Sequence, residues 1–97
     1  MCVDRDGSIL VAEQAGRIRR VGRKGEVTTV AGGRSRGYED GALGDARFAS
    51  AFGVAVGPKG RIYVVEYEQK REYRIRVISD GRVTTLAKIP SDGVFAK

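Results

Sequence analysis

The chain says most of what it has to say twice. "DRDGSILVAE" (4–13) lies over "GPKGRIYVVE" (57–66), with Gly7 on Gly60 and Glu13 on Glu66. "RIRRVGRKGEVTTVA" (17–31) lies over "RIRVISDGRVTTLA" (74–87), with Ile18 on Ile75 and Val27 on Val83. The period is about 53–57 residues; the second copy has about four extra residues in "EYEQKREY" (66–73) and about one fewer in the turn that follows. Self-similarity at a steady period marks an architecture in which one supersecondary unit is built again and stacked on itself.

Each copy reads as short strands punctuated by turns. "SILVAE" and "RIYVVEY" are runs of β-formers that follow Asp-Gly and Lys-Gly turn signals. Both are nearly continuous in apolar residues, and successive side chains of a strand point to opposite faces, so such a strand is covered on both sides. "RIRRV" and "YRIRVIS" mix Arg with aliphatics, "GEVTTVA" and "GRVTTLA" fit an outer strand half in water, and "MCVD" and "GVAVG" supply one more apolar strand before each set. Gly25 in "RKGE" and Gly81 in "SDGR" stand where a tight hairpin needs a positive φ. Four antiparallel strands per copy and no helix is the expectation. Four-stranded units covered on both faces fit β-propeller blades, which pack face to face on a neighbour at either side.

The same segments resemble the NHL-repeat β-propellers. The pieces that carry the resemblance are "ARF" (46–48), "GVAVG" (53–57), "KGRIYVVE" (59–66), "RIRV" (74–77) and "RVTTLA" (82–87), with "DGSILVAE", "RIRRV" and "VTTVAGG" from the first copy. The resemblance covers nearly the whole chain as about two blades, and it implies relatives that include six-bladed lactonase-like enzymes, lyases and protein- or RNA-binding modules. Fold of this kind does not fix function. Departures from the family pattern are Glu13 and Glu66, where an aspartate is usual, and Ala51, where a proline is common. On this reading residues 1–31 form the first blade, 32–52 a blade-to-blade connector, and 53–97 the second blade plus the start of a further strand.

The connector holds "GYEDGALGDARF" (37–48), rich in glycine and carboxylate. Glu39, Asp40 and Asp45 do not follow the spacing of an EF-hand loop, and neither a GxxxxGK[ST] run nor a strand–Gly–helix setting for phosphate occurs. The segment is expected to be a strap, with Asp40-Gly41 turning the chain and Phe48 anchoring it beneath the next blade. No metal and no cofactor is expected.

Candidate chemistry is sparse. The sequence has no His and no Asn, so its serines lack an imidazole to activate them, and Cys2 occupies an inward apolar strand slot equivalent to Ala55. Glu13 is expected to pair with Arg17 or Arg19, and Glu66 with Arg74 or Arg76, as structural cross-strand pairs contributing about 0.2–1 kcal/mol each. Tyr67, Lys70, Arg71 and Tyr73, in the loop where the copies differ in length, are candidates for binding a protein, a small ligand or a nucleic-acid strand. Arg17 and Arg19 join them in a basic stretch that continues through Arg20 to Lys24. The net charge is +6, from 18 Lys+Arg against 12 Asp+Glu, with both signs interspersed as on an ordinary solvated surface.

With 97 residues the chain is one small domain or part of a larger one. Two blades would leave two outer faces bare, and a closed ring removes them. If the family's six blades apply, three copies close the ring, and the C-terminal "DGVFAK" completes the first blade of a neighbour or of its own chain. The competing structural reading is a fragment of a longer propeller. The favoured function is a non-catalytic interaction scaffold assembled as a homotrimer, ahead of a fragment or subunit of a lactonase-like metal-dependent hydrolase and ahead of RNA binding. No apolar run approaches the ~20 residues of a membrane span. The single Cys and the missing leader tip the expected location towards the cytoplasm.

Overall fold

The runs of β-formers become strands, and glycines at positive φ turn the chain between them. A computed structural model of the chain describes residues 2–13, 16–33, 37, 39–68 and 72–90. Lys70, Arg71 and the C-terminal "DGVFAK" lie outside the described residues. The first sheet contains β1 (Cys2–Val3), β2 (Ile9–Glu13), β3 (Arg17–Val21) and β4 (Val27–Ala31), antiparallel and in chain order. The second contains β5 (Gly41–Ala42), β6 (Ser50–Val56), β7 (Ile62–Glu68), β8 (Glu72–Ser79) and β9 (Arg82–Pro90), in the order β5-β9-β8-β7-β6. The protein is all-β, and no helix among the described residues is long and apolar enough to cross a membrane.

The repetition extends to register. In the first sheet Arg19 stands between Val11 on β2 and Thr29 on β4; in the second, Arg76 stands between Val64 on β7 and Thr85 on β9. The outer strand slips against its neighbour at the same place in each, between Ile18 and Arg19 and between Ile75 and Arg76. The turns differ in length as the sequence does. Gly22 and Glu26 close a loop with Gly25 at φ 89°, whereas Asp80 and Gly81, at φ 54° and 75°, make a two-residue hairpin of the type that needs two positive φ values.

Two features depart from the expectation. The connector, read as 32–52, contributes a strand of its own: β5 pairs Gly41 with Val83 and Ala42 with Arg82 on the outer edge of β9, while β6 begins at Ser50 within the connector's C-terminal end. The slot shared by Cys2 and Ala55 is inward in the first sheet, where Cys2 packs against the core, but not in the second. Cys2 is half-buried at the margin of the core and Ala55 is exposed, because nothing among the described residues covers that part of the second sheet.

The sheets stack through β1 and β2 against β6. One apolar cluster joins them, with Leu10, Ile18 and Ala31 from the first sheet, Val54, Ile62, Val64, Ile78 and Val83 from the second, and Ala46 and Phe48 from the connector. Phe48 is fully buried and fastens the strap to this core.

Candidate functional site

The most heavily bonded side chain stands at the middle of β8. Arg76 lies in a row of β-formers, opposite Val64, and its side chain has no exposed surface. An arginine there must find an acceptor for each of its five N–H groups, since a buried donor left unpaired costs about 1–3 kcal/mol. Its Nη1 donates to Glu66 Oε1 on β7 (2.5 Å) and to the Arg47 carbonyl (3.0 Å). Its Nη2 donates to the Glu39 carbonyl (2.8 Å) and to Asp40 Oδ1 (2.8 Å), and its Nε to the same oxygen (3.1 Å).

Every partner is satisfied in turn. Glu66, also without exposed surface, accepts a second hydrogen bond at Oε2 from the Ala49 N–H (2.7 Å). Asp40 accepts from the Thr85 N–H (3.1 Å) and from its hydroxyl (2.9 Å), which ties the strap to the outer strand. The Phe48 ring closes the site, its centroid 4.9 Å from the guanidinium carbon. The connector's carboxylate and carbonyls are thus aimed at one cation from β8. Asp40, which the sequence offers as a turn residue, is a ligand of that cation. The available signal was an arginine repeated at one position inside a row of β-formers.

The same pair on the first sheet is open. Glu13 Oε1 lies 3.1 Å from Arg17 Nε and 3.3 Å from Arg19 Nη1, and the glutamate side chain keeps 36% of its surface. Arg19 Nε is buried yet has no hydrogen-bond partner among the described residues. In the second sheet, Arg74 bonds Glu72 (3.2 Å), and Glu66 is engaged by Arg76.

Of the residues with candidate binding roles, Tyr67 and Tyr73 meet as a cross-strand pair with ring centroids 5.0 Å apart. Phe52 adds an edge-on contact to Tyr73 at 6.1 Å, so the end of β7 and β8 carries a three-ring cluster. Arg17 and Arg19 belong to the other sheet and surround Glu13. Near them, Arg20 Nη1 donates to Asp4 Oδ2 (2.6 Å) and to Ser8 Oγ (2.7 Å), while the Ser8 hydroxyl donates to Asp6 Oδ1 (2.6 Å). The bond from Arg20, assisted by the Arg5 N–H, holds the Asp4 carboxyl below its ordinary value, and Ser8 does the same for Asp6. The basic stretch is therefore interleaved with carboxylates. Among the described residues no group of three or more His, Cys, Asp or Glu side chains could hold a metal ion. Comparison with family models, curated proteins and solved structures finds no match for this chain.

Proposed function

We propose that the chain is a two-blade β-propeller module of the NHL type, and that it works without catalysis as an interaction scaffold built by assembly of its own copies. The observation that carries this reading is the combination of two repeat-equivalent sheets stacked through one shared core with large apolar side chains left in solvent. Val3, Phe52 and Leu86 keep 68%, 59% and 61% of their surface. Apolar groups left open on stacked units favour further stacking, and a ring is the arrangement that ends it. The best-formed polar cluster supports a structural role, because all five donors of Arg76 are spent on protein acceptors. In a ring of three copies the connectors and the Tyr67–Tyr73 end would recur around the rim as the binding surface. Light scattering tests the reading: a mass three times that of the single chain is expected, and a folded monomer at micromolar concentration would overturn it.

A further inference from the structure

We infer that Arg19 and Thr29 of the first sheet form a receptor for an Asp-Gly strand, and that residues 91–94 of a second copy supply it. The inference rests on the assembly proposed above and names one of its contacts.

The second sheet shows such a receptor filled. Asp40 spans the Arg76 guanidinium and the amide and hydroxyl of Thr85, while the following Gly41 and Ala42 pair with the outer edge of β9. In the first sheet the same two residue types hold the same register, with Arg19 beside Thr29 and the same slip next to them. Nothing described fills the place. Among the described residues, Arg19 Nε, whose counterpart Arg76 Nε bonds Asp40, is buried without an acceptor, and β4 is the outer strand of its sheet with no partner beyond it. A cation with a free buried donor beside an unpaired strand edge calls for an acidic peptide in extended form, joined by edge pairing.

The chain contains one further segment of that kind. "SDGVF" (91–95) repeats the order of "EDGAL" (39–43), an Asp-Gly pair followed by apolar residues, and Leu43 of the latter packs against the core. The proposed assembly makes a second copy its source. The connector leaves the first sheet after β4 and fastens the outer edge of the sheet stacked upon it. By the same step, the segment after β9 would pass to a sheet stacked beyond the second, on the side away from the first sheet, which packs against β6. In the assembly proposed above, that sheet is the first sheet of another copy.

The test uses a fluorescein-labelled peptide of residues 88–97 and the full chain carrying Asp92→Asn, which keeps the receptor and disables its own segment. Fluorescence anisotropy should show saturable binding, at least tenfold weaker for the peptide carrying Asp92→Asn and for a chain that also carries Arg19→Gln. Equal binding of the two peptides, or none, overturns the inference; the peptide comparison leaves the folded chain untouched. The ring itself is read separately by light scattering. A monomeric wild type that still distinguishes the peptides removes the ring and keeps the receptor, whereas a trimer that ignores both substitutions keeps the ring and removes the receptor.

Discussion

The first and second sheets hold the same ion pair at the same register and bury it to opposite degrees. Glu13 and Arg19 keep 36% and 21% of their side-chain surface, while Glu66 and Arg76 keep none. The strands do not explain this, since Val11, Arg19 and Thr29 line up as Val64, Arg76 and Thr85 do. The connector explains it. Residues 39–49 lie over the second pair and bring the carbonyls of Glu39 and Arg47, the Asp40 carboxylate and the Ala49 N–H. Removing two charges from water costs several kcal/mol per ion, recovered only where further hydrogen bonds satisfy what the pair leaves open. A segment that covered the pair without those groups would destabilise the sheet; this one supplies them as it covers.

Removing the cation gives the largest contrast. Arg76→Met strands the Glu66 carboxylate in the interior and frees the connector, so a loss of about 3–5 kcal/mol in urea unfolding is expected. Arg19→Met, the same change at the equivalent half-exposed pair, should cost only about 0–1 kcal/mol under dilute conditions. Similar losses at the two positions would break the comparison, because burial would then not set the value of the pair. Combining Arg76→Met with Glu66→Leu should recover part of the loss, since no unpaired glutamate remains.

The acid side sharpens the same point with a smaller effect. Glu66→Gln keeps the shape and removes the charge that Arg76 and the Ala49 N–H were facing, for an expected loss of about 2 kcal/mol. Glu13→Gln should stay below about 1 kcal/mol, its carboxylate being partly solvated and shared between two arginines that both keep contact with water. Thermal unfolding of the two variants side by side is the measurement. A greater loss from Glu13→Gln would place the important pair in the wrong sheet.

How much of this could be read from the residues depends on range. The register, the positive-φ glycines Gly25 and Gly81, and the pairing of Glu13 with its arginines follow from patterns within one copy. Glu66 and Arg76 were readable as a pair but not as a buried one. "RIR" at 17–19 and "RIR" at 74–76 are the same three residues in the same strand, and what separates them is a segment far away in the chain. Strand β5 was invisible for a related reason: Gly41-Ala42 has no strand propensity, and only the free edge of β9 makes it one. Ala55 was misplaced because an apolar run tells that a strand suits a double-covered position, not that a second cover is present.

Asp40 tests whether the connector does the covering. Its carboxylate is nearly half exposed, so the charge is screened, and Asp40→Asn should cost about 1 kcal/mol, less than either change at the buried pair. The useful readout is local. Hydrogen exchange at the Thr85 amide, which donates to Asp40 Oδ2, should speed up together with that of the Gly32 amide, which donates to the Leu43 carbonyl at the start of the strap. Gly32 has φ 93° and no room for a side chain, since a Cβ would stand 2.3 Å from the Gly16 carbonyl oxygen, so the strap's entry is rigid and its release should register there. Unchanged exchange at both amides would mean that Phe48 and the backbone bonds to Arg76 and Glu66 hold the segment down without Asp40.

The smallest expected effect belongs to the first sheet and depends on pH. Asp4 is held below its ordinary value of 3.8, chiefly by the bond from Arg20, and Asp6 below the same value by the Ser8 hydroxyl. Each binds protons less readily folded than unfolded, so their contribution is complete above about pH 4 and drains away as the pH falls through the lower folded values. The chain should therefore lose stability on acidification below pH 4, and Asp4→Asn should flatten that part of the curve while leaving stability near neutrality slightly reduced. Arg20→Gln should flatten it as well, because the guanidinium is the larger cause for Asp4. Parallel acid curves for the wild type and both variants would show that the open ion pairs of this sheet contribute nothing, and would widen its contrast with the covered pair beneath the connector.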